Sequence, residues 1–108
     1  MRRGDFVTIA MQDDFGKPRP ALVIQADHFD EHATVTVLPV TSTLVDASLF
    51  RITLVPDAAN GLHKPSQVMG GKAMTVMRDK LGPAFGLIHG DALVELERCL
   101  AVFLGIAK

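Results

Sequence analysis

The chain predicts a small, mainly β (α+β) fold, a β-barrel of about six to seven short strands with one α-helix packed at its C-terminal end. Three observations carry this. Short apolar runs recur between residues 5 and 88, each bounded by Gly, Pro, Asn or Asp. Only the stretch after Asp91 spaces its apolar side chains helically, with Leu93, Leu96, Leu100, Phe103 and Leu104 on one face. With 108 residues the chain can bury one core and not two, so residues 1–108 are read as a single domain.

Asp5 to Met11 lacks Gly and Pro and reads as the first strand. Gln12 to Pro20 is a long connection for a hairpin, and long loops in compact domains are often functional. Pro20 to Ala26 is the second strand. Ala33 to Thr41 is the third, with Pro39 marking it as an edge or a bulge. Leu49 to Val55 is the fourth, with Phe50, Ile52 and Leu54 opposite Arg51 and Thr53. Asn60-Gly61 is the strongest turn signal in residues 57–65. Ser66 to Met69 and Ala73 to Met77 are two short strands broken by Gly70-Gly71, and Leu81 to Ile88 is an irregular last strand. Asp91 is the expected N-cap of the helix, and Gly105 is placed to stop it.

Hydrophobic residues make up 48% of the chain, and with no Tyr or Trp the core is aliphatic plus Phe. No apolar run approaches the roughly 20 residues of a membrane span. Arg2 and Arg3 precede Gly-Asp rather than an apolar segment, so no export signal is expected. Cys99 is alone and suits a reducing cytoplasm; within the helical pattern it reads as core or interface rather than nucleophile. A net charge of −1 argues against a general polyanion binder. Yet residues 64–80 set Lys64, Lys72, Arg78 and Lys80 against Asp79 alone, and a local basic patch can attract a phosphate backbone.

The stretch from Gly16 to Gln25 is the most informative. Pro18 and Pro20 each fix their own φ and extend the residue before them, so Lys17 and Arg19 sit on stiff backbone at a strand entrance. A guanidinium held there suits phosphate recognition, and it equally suits a cap on the barrel rim or a pair with Asp13 or Asp14.

Arg3-Gly4-Asp5-Phe6-Val7, Arg19-Pro20-Ala21-Leu22-Val23-Ile24 and Pro39-Val40-Thr41-Ser42 resemble the corresponding segments of the MazF/PemK toxin family. The resemblance implies an SH3-like barrel and a small type II toxin. It also implies a homodimer with a shared groove, a cognate antitoxin and single-stranded RNA as partners, and cleavage without a cofactor. It carries the catalytic roles over to Arg19, which would hold the phosphate, and Thr41, which would orient the scissile group. Lys17, Ser42, Lys72, Thr75 and Arg78 are the expected RNA contacts. Where the family has an acid, Gln, an apolar residue and Arg-Thr, this chain has Gly71-Lys72-Ala73-Met74-Thr75, so only Thr75 matches. Residues two apart on a strand share a face, so Lys72 is expected to reach the groove beside the missing cation.

Other constellations are weaker. His28 and His32 have helical metal-ligand spacing but lie in a turn-like segment without a clear third ligand, so no metal is expected. Gly70-Gly71-Lys72 lacks the upstream Gly and the following hydroxyl of a phosphate loop. The ending from Phe103 to Lys108 loosely resembles that of the CcdB gyrase poisons, which share the barrel. A gyrase poison and a catalytically degenerate antitoxin-binding homologue are therefore the alternatives to an endoribonuclease.

Overall fold

Three antiparallel strands near the N-terminus form the frame on which the rest of the chain is laid: β1 (Asp5–Ala10), β2 (Pro18–Val23) and β3 (Thr34–Thr41). The computed structural model describes residues 1–10, 17–46 and 49–107. The expected end of the first strand at Met11, the loop through Gly16 with Asp13 and Asp14, and Lys108 lie outside the described residues. β4 (Arg51–Leu54), β5 (Ser66–Met69), β6 (Met74–Met77), β7 (Leu81–Leu87) and the helix α1 (Gly90–Phe103) follow.

The strands hydrogen-bond in the order β4-β5-β3-β2-β1-β7, with β6 also on β3, and every pair is antiparallel. Among the described residues, seven strands and a C-terminal helix match the expected elements, but the sheet does not close into a barrel, because β4 and β7 are not paired. Apolar surface that closure would seal is instead covered by α1, whose Leu96, Cys99 and Leu100 share a cluster with Phe6, Leu22, Leu38 and Ile52.

Side-chain alternation explains the dense apolar runs of the frame. Phe6, Leu22, Leu38 and Val40 enter the cluster under the helix. Their neighbours Val7, Ile9, Ala21, Val23, Val35 and Val37 form a second cluster on the other face, with Met74, Val76 and Leu81 packed against it. The middle of β1–β3 is therefore buried on both faces.

Pro39 does not mark an edge. β3 is central, with β2 on one side and both β5 and β6 on the other. Between the pairs Val37↔Met74 and Val40↔Val68, Leu38 and Pro39 on β3 face the longer run of residues 69–73. Pro39 has no N–H to offer the ladder, and this is where the partner strand bulges away through Gly70-Gly71.

Helix α1 begins two residues earlier than expected. His89 is the N-cap without a side-chain capping bond, and Asp91 lies in the first turn, where its charge suits the helix dipole. At the other end Gly105 adopts φ +77°, its N–H reaching Val102 O at 3.1 Å while Ile106 N–H reaches Ala101 O at 2.8 Å. This is a Schellman stop. Phe103 packs edge-on against Phe50 with ring centroids 5.0 Å apart, whereas Leu104 is exposed. Burial pushes the Cys99 thiol above its ordinary pKa, with Glu95 adding to the shift. Among the described residues no helix is long and apolar enough to cross a membrane.

Candidate nucleic-acid interface

Arg19 and Thr41, far apart in sequence, line one cleft of about 810 Å³. Thr8 and Ile9 of β1, the Pro18-Arg19-Pro20 entrance to β2, and the Pro39–Thr41 end of β3 form one side. Register explains the grouping: Arg19 lies opposite Ile9 and Pro20 opposite Thr8, while Pro39 lies opposite Ala21. The proline clamp therefore puts Arg19 at the mouth of the frame. Arg19 is exposed there, on β-paired backbone.

Hydroxyls follow at the end of β3. Thr41 Oγ1 accepts the Thr43 N–H at 3.0 Å, a tight turn that leaves the Thr41 O–H to donate elsewhere. The chain beyond Thr41 is pinned by Gln67, a nearly fully buried polar residue of β5. Its Oε1 accepts from Val45 N–H and from Arg51, each at 3.0 Å. Its Nε2 donates to Val45 O at 3.0 Å and Thr53 Oγ1 at 3.1 Å. Arg51 also donates to the Thr43 carbonyl at 3.1 Å. Ser42 and Thr43 thus line the cleft on backbone held from below.

The opposite wall is the segment 61–64. Asp57 Oδ1 accepts the Asn60 and Ala59 N–H groups at 2.7 and 2.9 Å. Asn60, buried, returns Oδ1 to Asp57 N–H and Leu62 N–H and donates Nδ2 to Val55 O at 3.0 Å. The Asn60 amide, the strongest cause, and the His89 ring and Ala59 amide hold the Asp57 carboxyl below its ordinary pKa against partial desolvation. Leu62 is drawn into the core, and His63 and Lys64 are left in the cleft lining.

Among the described residues the lining is electrostatically one-sided. Arg19, Lys64 and His63 line the cleft, and among the described residues that line it there is no carboxylate. Thr8, Thr41, Ser42, Thr43 and Ser66 add hydroxyls, while Met69, Met74 and Phe85 supply an apolar floor. Cationic donors fixed beside hydroxyls and an apolar surface can hold a phosphate and cover an unpaired base.

The other residues expected to contact RNA lie elsewhere. Lys17 is exposed just before β2, outside the lining. Lys72 is exposed in the turn before β6, so the alternate-residue argument that would set it beside Met74 does not apply. Thr75 is exposed, and its neighbours Met74 and Val76 take the buried side of β6. Arg78 points to a separate shallow hollow shared with Arg3 and Asp27, its Nε donating to His32 O at 2.8 Å. His28 and His32 both pack against the Phe29 ring. Among the described residues no group of three or more His, Cys, Asp or Glu side chains is arranged to hold a metal.

His63 and Phe85 were not legible as site residues. A His-Lys pair directly after an Asn-Gly turn was the available signal for the first. For Phe85 it was an aromatic set between Ala84 and Gly86 in a strand otherwise poor in large side chains.

Comparison with known proteins gives the same assignment from a different direction. Residues 2–104 match the family model described as the PemK-like, MazF-like toxin of type II toxin-antitoxin systems. A probable endoribonuclease MazF of Mycolicibacterium smegmatis is 46% identical over 108 residues, covering 99% of each chain. The Mycobacterium tuberculosis toxin MazF-mt6 superposes with a TM-score of 0.77 at 26% identity, covering 94% of this chain and 98% of that one. An endoribonuclease from a mycobacterial species, solved in complex with its cognate antitoxin, shares the fold with a TM-score of 0.83 at 17% identity, covering 100% and 98%. With the match running from Arg2 to Leu104, the chain belongs to the PemK-like, MazF-like family of type II toxins.

Proposed function

We propose that the chain is the toxin of a type II toxin–antitoxin pair and acts as a sequence-selective endoribonuclease on single-stranded RNA, without a metal. The observation that carries this reading is the cleft that combines Arg19, Lys64 and the Thr41 turn with no carboxylate among its described lining residues. In the reaction a ribose 2′-oxygen attacks the adjacent phosphorus, the P–O5′ bond breaks, and the products are a 2′,3′-cyclic phosphate and a 5′-hydroxyl. Arg19 stabilises the charge that develops on the phosphoryl oxygens, and Thr41 orients the scissile group through its free O–H. Ser42, His63 and Lys64 hold the flanking backbone. Lys17 stands at the approach to the cleft.

The protein works as a cytoplasmic homodimer controlled by a cognate antitoxin. The mycobacterial relative solved with its antitoxin supports that partner. Exposed Leu49, Val102, Leu104 and Ile106 offer apolar surface for protein contacts.

The test is cleavage of single-stranded RNA by purified protein in EDTA, with analysis of the ends. Cyclic phosphate ends are expected, with no cleavage of an all-deoxy strand. Arg19→Ala is expected to keep the fold and lose about 10²- to 10³-fold in rate. Cleavage abolished by chelation, or full activity of Arg19→Ala, overturns the reading.

A further inference from the structure

Phe85 occupies an unusual position for a β7 side chain. Its ring is stacked on Phe6, with centroids 6.1 Å apart and planes 26° apart, and Phe6 is completely buried. On another side lies Gly61, where any side chain would overlap the Phe85 carbonyl and crowd its ring. β7 is tied to the same loop by Leu87 N–H donating to Ala59 O at 2.9 Å, and a side chain at Gly86 would overlap the Asn60 carbonyl. Phe85 is therefore rigidly mounted. Even so it remains 38% exposed, and its open part lines the cleft that holds Arg19.

An exposed Phe on a fixed mount, in a cleft that Arg19 and Lys64 also line, has the properties of a base-stacking platform. Every nucleobase offers a π-face, and such a platform costs little entropy on binding when the ring is already locked. Arg19 and Phe85 line the same cleft. Arg19 lies on β2 opposite Ile9, and Phe85 lies on β7 between the partners of Val7 and Phe6, so the two are offset along the strands as well as across β1. A short length of single-stranded RNA laid along the cleft spans that offset. Met69 and Met74 give the neighbouring lining a soft, apolar character that tolerates a flat ring.

We propose that Phe85 is a nucleobase-binding residue, stacking a base next to the phosphate held by Arg19; this rests on the reading of the cleft as an RNA site. Phe85 thereby contributes to substrate binding and base preference, not to proton transfer.

The chain has no Trp, so Phe85→Trp introduces a single emitting indole at the platform. The probe is a degenerate single-stranded oligonucleotide with 2′-O-methyl riboses, uncleavable because the attacking oxygen is capped. Expected are quenching of Phe85→Trp emission on titration, and wild-type-like affinity in that variant. Phe85→Leu, which keeps apolar bulk against Phe6, is expected to bind about ten- to hundredfold more weakly and to raise KM on cleavable RNA far more than it lowers kcat. Thermal melting of Phe85→Leu close to wild type separates lost stacking from lost fold. If the wild type binds and cleaves RNA while Phe85→Leu binds equally well and the indole emission does not change, the platform is wrong and the RNA reading stands. If the wild type neither binds nor cleaves, both fall.

Discussion

Arg51 and Gln67 lie diagonally across the β4–β5 pair, and one Arg51 nitrogen reaches both Gln67 Oε1 at 3.0 Å and the Thr43 carbonyl at 3.1 Å. Neither residue lines the cleft, yet together with Val45 they fix the backbone that follows Thr41. Gln67→Leu would strip partners from Arg51 and from both polar groups of Val45. A loss of about 1–3 kcal/mol in unfolding free energy is expected. The cleavage rate should fall with it, because Thr41 loses its mount. Gln67→Glu keeps the acceptor for Arg51 and Val45 N–H but sets an oxygen against the Val45 carbonyl, so an intermediate loss is expected. Urea unfolding and single-turnover cleavage check this; lowered stability with unchanged rate would make the pair structural only.

Two glycines separate backbone strain from crowding. Gly61 and Gly105 have φ of +65° and +77°. A side chain at Gly105 meets nothing, whereas one at Gly61 overlaps the Phe85 carbonyl. Gly105→Ala is expected to cost about 1 kcal/mol, and Gly61→Ala roughly twice that or more. Only Gly61→Ala should disturb the wall bearing His63 and Lys64. Thermal melts and RNA affinity of the two variants test the contrast, and equal effects would remove the argument from close approach.

The Asp57 turn gives a pH dependence with a definite sign. Its carboxyl has a folded pKa below the ordinary 3.8, chiefly through the Asn60 N–H. The stabilisation is therefore complete above that ordinary value and is lost as pH falls through the lower folded one. Asp57→Asn retains an acceptor oxygen for Ala59 and Asn60 but not the charge. Wild type should melt above this variant at pH 6 and converge with it at the acid end. A constant gap across that range would show that the charge contributes nothing.

Much of the frame was legible because local chemistry and tertiary packing agree. The runs around Val7, Leu22 and Val37 are strands buried on both faces, and Gly105 stops the helix as its position suggested. The open sheet was not legible, since pairing of β4 with β7 depends on where α1 packs rather than on either strand's pattern. Nor was the N-cap, where Asp91 had the right chemistry but His89 holds the position. In the cleft, Arg19, Thr41 and Ser42 could be singled out because short segments carry them. Lys72 and Arg78 looked equivalent to Lys64 in the charge count of residues 64–80, but a turn and the His32 carbonyl direct them elsewhere. Phe85 owes its fixed mount to a loop more than twenty residues away in sequence, a relation no local pattern contains.

The last prediction concerns the position where the family pattern has a cation and this chain has Met74. Met74 is half-buried and lines the cleft, while packing against the second cluster from its place opposite Val37. An arginine there can lay its aliphatic stem along the same apolar surface and carry its head outward. Met74→Arg is therefore expected to fold, to bind RNA more tightly, and to steepen the salt dependence by about 0.7 in log–log slope, one single-strand phosphate contact. Lys72, exposed in the preceding turn and outside the lining, should contribute little, so Lys72→Ala is expected to leave affinity and slope near wild type. Affinity measured across a salt series for both variants decides the matter. A flattened slope in Lys72→Ala with no change in Met74→Arg would move the RNA path off the cleft floor and onto the β5–β6 turn.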